Sequence, residues 1–229
     1  MLVIGRFFSQ LGANEPSRSI KSATYDGVDI LNCDVYLTQD NIAVLVDDAL
    51  LDTLRTMDAS PQSYTLRQLK NIPNTNHPIT LDAVLHAYFG NIMLALELKS
   101  RGSAKVVVEL LSTYAKQSQS KWDNVLVSAH KPTELIAARR ASSQVNLGFL
   151  QELNSFAFIT YQPFLDLTAV GFHRLHINSL ALQIAKKAGL FTYAYTVNRP
   201  DAARHLGELG IDGVVSERPS VIAAQLKRN

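Results

Sequence analysis

Residues 92–98 read Ile-Met-Leu-Ala-Leu-Glu-Leu, with Lys99 next. A strand with one face in water alternates polar and apolar residues. This run has one polar side chain, Glu97. It therefore reads as a strand covered on both faces, as in a parallel sheet layered with helices. On its N-terminal side, Thr80 stands where an N-cap would. Leu81, Val84, Leu85 and Tyr88 follow at helical spacing. On its C-terminal side, Ser103 is read as the cap of a helix over 104–116.

The same rhythm continues outward in both directions. Toward the N-terminus lie strands over 2–5 and 29–36, a short polar helix over 17–25, and a hairpin-like strand over 42–46. Residues 49–79 read as irregular apart from a helical turn over 66–70. Toward the C-terminus, strands fall at 125–128, 145–150, 170–177, 191–197 and 213–216. Pro132, Pro200 and Pro219 open helices, Ser179 is read as a cap, and Gly189 closes its helix as a C′ glycine would. About eight strand–helix units in 229 residues fit an α/β fold of the closed (β/α)8 TIM-barrel type. An open doubly wound sheet is the competing arrangement, but no G-x-G-x-x-G follows the first strand. No linker or composition shift appears, so residues 1–229 read as one domain.

Composition narrows the function classes. With 47% hydrophobic residues, the chain has the apolar surface that a disordered protein lacks. Lys plus Arg number 22 against 20 Asp plus Glu, a net charge of +2 with no basic block, which argues against nucleic acid as a partner. The single cysteine, Cys33, excludes an intramolecular disulfide and a cysteine-rich zinc site. No stretch approaches the ~20 apolar residues of a membrane span. The apolar run after Met1 is too short for a signal peptide. A cytoplasmic location is the expectation.

In a barrel, chemistry collects at the carboxyl ends of the strands. The polar residues there are Arg6, Asn32 with Asp34, Asp47 and Asp48, Glu97 with Lys99, Ser128 and His130, His173 and His176, Tyr195, Thr196 and Asn198, and Ser216 with Glu217. Asn32 and Asp34 share a face, as do Glu97 and Lys99, because strand side chains repeat every second residue. Two readings stay open. Several carboxylates around one mouth repel unless a cation such as Mg2+ or Ca2+ lies among them, with Lys99 and Arg6 then facing a bound anion such as a phosphate. Alternatively, Asp34 and Glu97 pair directly with Lys99 and Arg6. Cys33 points to the opposite side from Asn32 and Asp34 and reads as packing. Trp122 and Asp123 precede their strand and read as structural. His173 and His176 are placed on different faces of one strand, where they would not act together.

The order of these residues resembles the glycerophosphodiester phosphodiesterase family. That family opens with a strand and G-H-R-G, continues with E-x-D-V-x-L-T-x-D-G and H-D-x-x-L-x-R-T, and carries E-x-K on a later strand. Near its C-terminus come W-T-V-N and G-x-D-G-x-x-x-D-x-P. The corresponding stretches are Gly5-Arg6-Phe7-Phe8, Asn32-Cys33-Asp34-Val35-Tyr36-Leu37-Thr38-Gln39-Asp40-Asn41 and Asp47-Asp48-Ala49-Leu50-Leu51-Asp52. They continue with Glu97-Leu98-Lys99, Tyr195-Thr196-Val197-Asn198 and Gly210-Ile211-Asp212-Gly213 through Pro219. Glu15 falls near the family's P-E-N-T position. The resemblance spans nearly the whole chain and implies a barrel of the phospholipase C-like phosphodiesterase type. It also implies hydrolysis of glycerophosphodiesters to glycerol 3-phosphate and an alcohol. The metal would be Mg2+ or Ca2+, held by positions 32, 34 and 97, and two histidines would serve as acid and base.

At those two histidine positions this sequence has Arg6 and Asp47. Arginine stays protonated and cannot cycle a proton. Asn32 replaces a charged metal ligand, and Phe7-Phe8 replaces Arg-Gly. Asp34, Glu97, Lys99 and Asp48 are kept, and Tyr195 stands at the family's tryptophan as a wall for a glycerol or lipid head group. The expectation is a family barrel with lost or strongly reduced hydrolysis that keeps a vestigial phosphate or cation site. Its ligand would be a glycerophosphodiester or a related phosphorylated small molecule, bound through Lys99, Arg6 and Tyr195. The first rival is an active metal-dependent phosphodiesterase in which His130, His173 or His176 moves the proton. The second is an interaction scaffold that uses the barrel surface.

Overall fold

A computed structural model describes residues 1–8, 27–116 and 119–226. The helix expected over 17–25 and the position of Glu15 lie outside the described residues. Eight parallel strands form the barrel: β1 (Leu2–Arg6), β2 (Ile30–Leu37), β5 (Met93–Leu98), β6 (Val125–Ala129), β7 (Asn146–Gln151), β8 (Ala169–His173), β9 (Phe191–Tyr195) and β10 (Gly213–Ser216). Each pairs with the next around the ring, and β1 closes it by pairing with both β10 and β2. The open doubly wound alternative is thereby excluded. A small antiparallel extension, β3 (Ala43–Leu45) and β4 (Ile79–Thr80), is attached to the end of β2.

Strand alternation sorts the side chains into two packed layers. Inside the barrel lie Ile4, Ile30, Ala95, Leu126, Leu150, Ala169, Tyr193 and Val215. Between strands and helices lie their sequence neighbours, including Val3, Leu31, Cys33, Leu94, Leu96, Val127, Phe172, Ala194 and Val214. Cys33 is therefore packing, and burial pushes its thiol pKa up. The interior accommodates the Tyr193 ring because Gly171 has no side chain. A Cβ there would meet Leu150 Cδ2 at 2.6 Å and Tyr193 Cε2 at 2.8 Å.

The described helices are α1 (Asp48–Thr56), α2 (Leu66–Lys70), α3 (Leu81–Tyr88), α4 (Ser103–Ala115), α5 (Pro132–Ala141), α6 (Ala157–Leu165), α7 (Ser179–Lys187), α8 (Pro200–Glu208) and α9 (Pro219–Leu226). Thr80 caps α3, accepting from the Ala83 N–H. Gly189 follows α7 with a φ of 73°, the left-handed conformation that ends a helix without Cβ strain.

Three expectations are corrected, and one helix is added. Residues 49–56, read as irregular, belong to α1, with Leu50 and Leu54 buried. The added helix is α6, between β7 and β8, which contains Pro163. Asn178, not Ser179, caps α7. Ser103 is the first residue of α4 and does not cap it; its hydroxyl donates to Ser100 O at 2.7 Å. The α4 terminus is satisfied instead by Glu134 of α5, whose carboxylate accepts from Gly102 N at 2.8 Å and Ala104 N at 3.1 Å. A buried anion thus sits on the positive end of a helix.

Candidate active site

Register places the polar residues side by side at the carboxyl end of the barrel. Arg6 pairs with Asn32 across β1 and β2, Asp34 with Glu97 across β2 and β5, and Glu97 with Ser128 across β5 and β6. All of these fall on the inward-facing alternation set by Ile4, Ile30, Ala95 and Leu126. One continuous arc of the mouth therefore carries Arg6, Asn32, Asp34, Glu97, Lys99 and His130.

Within this arc the charges are internally paired. Arg6 Nη2 donates to Asp34 Oδ2 at 2.6 Å and Nη1 to Glu217 Oε1 at 3.3 Å. Lys99 Nζ bonds Glu97 Oε1 and lies 3.8 Å from Asp34 Oδ1. Asn32 Nδ2 donates to Asp34 Oδ1 at 3.4 Å. His130 Nε2 lies 3.3 Å from Glu97 Oε1, and its Nδ1 is 3.7 Å from Glu152 Oε1. Asn198 ties Glu217 to β10: its Nδ2 donates to Glu217 Oε2 at 2.8 Å, and its Oδ1 accepts from Ser216 Oγ at 3.2 Å.

These contacts separate two neighbouring carboxyls. Burial alone would raise the pKa of Glu97, but the His130 and Lys99 bonds overcome it and bring the group down to about 2. Burial and the nearby Glu97 charge push Asp34 upward, with Lys99 and Arg6 only partly offsetting them. For Arg6, burial opposes the charged form, but Asp34 outweighs it and lifts the guanidinium above its ordinary value. Arg6 is thus locked as a cation.

Asp47 does structural work. It is the N-cap of α1: Oδ1 accepts from Leu50 N at 2.9 Å, and Oδ2 accepts from Asn76 Nδ2 at 2.5 Å. The sequence reading missed this role. The signal was present in Asp47 followed by Asp48 in a first turn and by Leu50 and Leu54 one helical turn apart. A cavity of about 420 Å3 brings Asp47 and Asp48 to the same space as Arg6, Asn32, Asp34 and Glu217. Glu97, Lys99 and Tyr195 lie outside its lining. Phe7 also borders it, but its ring is buried in the outer core against Phe8 and Tyr88, with ring centres at 5.3 and 6.1 Å.

The far side of the mouth is aromatic. Tyr195 stands between His130 and His173, with ring centres at 5.8 and 6.0 Å, and its hydroxyl donates to Gln151 O at 2.8 Å. Burial raises its pKa, as do nearby Tyr193 and Glu97. β8 ends at His173, short of the expected Ile177, so His176 lies in the following turn. The two imidazoles are therefore neighbours, 5.3 Å apart between ring centres. This corrects the expectation that they sit on different faces of one strand. Burial, Arg174 and His176 all lower the His173 pKa.

The residues present fit a divalent ion poorly. Asp34 and Glu97 bring two negative charges, and Arg6 and Lys99 bring two positive charges into contact with them. A Ca2+ or Mg2+ needs carboxylate and carbonyl oxygens at ~2.0–2.6 Å, where these donors now bond. The Asn32 amide presents its nitrogen, not its oxygen, to Asp34. Among the described residues, no three or more His, Cys, Asp or Glu side chains are grouped to hold a metal. The direct pairing of Asp34 and Glu97 with Arg6 and Lys99 is the arrangement present. Among the described residues, no helix is long and apolar enough to cross a membrane.

Comparison with known proteins matches this chain to one family. A sequence model described as the glycerophosphoryl diester phosphodiesterase family matches residues 15–221. The chain is 26% identical over 210 residues to YhdW of Bacillus subtilis strain 168, a candidate glycerophosphodiester phosphodiesterase. That match covers 85% of this chain and 84% of YhdW. The fold is similar to that of a phosphodiesterase of Oleispira antarctica solved with its product sn-glycerol-3-phosphate. The TM-score is 0.79 at 22% identity, over 99% of this chain and 97% of that one. It is also similar to a glycerophosphodiester phosphodiesterase of Thermotoga maritima, with a TM-score of 0.75 at 19% identity, over 100% and 98% of the two chains.

Proposed function

The chain belongs to the glycerophosphoryl diester phosphodiesterase family, and from that premise we propose that it binds a phosphorylated small molecule of the glycerol phosphate type while hydrolysing glycerophosphodiesters slowly or not at all. Phosphodiester hydrolysis takes a proton from the attacking oxygen and gives one to the departing alkoxide. The resemblance gives those tasks to positions 6 and 47. The observation that carries the reading is at Asp47, where both carboxylate oxygens already accept hydrogen bonds that start α1 and hold Asn76. Arg6 supports it as a permanent cation between Asp34 and Glu217. Each missing acid or base forfeits ~10²–10⁴-fold in rate.

Arg6 and Lys99 supply the positive charge for a phosphoryl group. The Oleispira antarctica protein, with sn-glycerol-3-phosphate in its structure, supports the choice of ligand. The binding half of the reading is tested by titrating sn-glycerol 3-phosphate into the purified chain and following thermal unfolding. A saturable rise in melting temperature that Lys99→Ala removes is expected. An unchanged melting temperature at millimolar ligand would overturn it.

A second reading rests on His130. Its imidazole lies 3.3 Å from Glu97 and beside the cationic Lys99 across that carboxylate. A carboxylate-oriented imidazole at the mouth is suited to proton transfer. Substantial turnover that falls ~10²-fold or more in His130→Ala, with unchanged ligand-induced stabilisation, would favour this reading over the first.

A further inference from the structure

We propose that Arg6 is the resident cation of this site, so that the chain binds a phosphate ester without a divalent metal. This rests on the phosphate-binding reading above and states how that binding is achieved. Arg6 reaches Asp34 Oδ2 at 2.6 Å, while Lys99 approaches Oδ1 at 3.8 Å and bonds Glu97. The two carboxylates are therefore neutralised by two side-chain cations. A divalent ion entering between them would meet a guanidinium and an ammonium in direct contact with the oxygens it needs. Like charges at that range repel strongly in a partly buried site. A guanidinium matches phosphoryl oxygens in a fixed fork of donors, which an imidazole at this position would not.

The same geometry identifies what the ligand must displace. Of the two carboxylates on Arg6 among the described residues, Glu217 is the more distant, at 3.3 Å, and its side chain is 47% exposed against 14% for Asp34. Asn198 holds the other Glu217 oxygen at 2.8 Å, so the side chain keeps a partner when Arg6 turns to a ligand. Glu217 acts as a competing anion on Arg6, and Asp34 as the anchor that keeps the guanidinium in place. The ligand class is a phosphate ester small enough for the mouth, recognised by Arg6 and Lys99 together.

The test measures binding of sn-glycerol 3-phosphate to the full chain by calorimetry, once in EDTA and once in millimolar Mg2+ or Ca2+. The affinity is expected to agree within about twofold in the two media. Glu217→Gln removes the competing charge and is expected to tighten binding about tenfold. Arg6→Ala is expected to abolish binding. It also releases Asp34, so a Mg2+- or Ca2+-dependent rise in melting temperature, absent in the wild type, should appear. If Arg6→Ala does not fold, the EDTA comparison and Glu217→Gln decide. Binding that requires the divalent ion, or Glu217→Gln that weakens it, overturns the inference and leaves the phosphate-binding reading standing. No binding in either medium overturns both.

Discussion

Asp47 and Arg6 sit where the family resemblance puts an acid and a base, and the structure gives both another occupation. Asp47 holds the first turn of α1. Asp47→Ala should therefore lower stability by about 1 kcal/mol in chemical denaturation. Asp47→Asn, which can still cap, should stay within a few tenths of wild type. Equal losses in both variants would show that the cap contributes little. Glu97 gives a prediction about pH. Its folded pKa of about 2 lies below the ordinary 4.5, so its ionisation favours the folded state. That contribution is complete above pH 4.5 and shrinks as pH falls toward 2. The stability difference between wild type and Glu97→Gln, followed by denaturation across this range, should diminish in the same direction. A difference that grows on acidification would contradict the assigned bonds from His130 and Lys99.

At the scale of elements, strand positions were readable because buried parallel strands are short apolar runs bounded by turn residues. The 92–98 run became β5 within a residue at its start. Two helices were not readable, for separate reasons. In α1, Asp47 and Asp48 suit a site at a strand end as well as an ordinary cap and first turn, and sequence alone does not separate the two. In α6, the sequence Ala-Phe-Ile-Thr-Tyr-Gln-Pro-Phe-Leu has aromatic and β-branched residues and an internal proline, and gives no clean helical stripe. The misplaced cap at α4 has a physical cause too. Its cap carboxylate, Glu134, comes from 30 residues away, and sequence spacing cannot reveal a tertiary cap. Glu134→Ala leaves Gly102 N and Ala104 N without that acceptor, and a loss of about 2 kcal/mol in denaturation is expected. A loss below a few tenths would mean that water replaces it freely.

For the whole molecule, fold and chemistry separate cleanly. The barrel closes through β1 and its interior packs around Tyr193, so the outer helices and strand cores keep the family architecture. The members of the site were legible one by one, since Arg6, Asn32, Asp34, Glu97 and Lys99 all fall at inward-facing strand ends. Their mutual pairing was one of two readings, and only side-chain geometry chose between them. The adjacency of His173 and His176 was not legible, because it depends on where β8 ends. The resemblance implies a Ca2+ or Mg2+ at this mouth. The chain keeps the barrel, with Arg6 and Asp47 where that resemblance expects histidines.

Loss of efficient proton transfer shows in the rate at which sn-glycerol 3-phosphate is released from glycerophosphocholine. Phosphorus NMR of the purified chain, with Mg2+ or Ca2+ supplied, reads that rate without a coupling enzyme. Turnover at least ~10⁴-fold below the ~10 s⁻¹ of an ordinary enzyme is expected. Turnover near 10 s⁻¹ that disappears in Asp34→Ala or Glu97→Ala would contradict it.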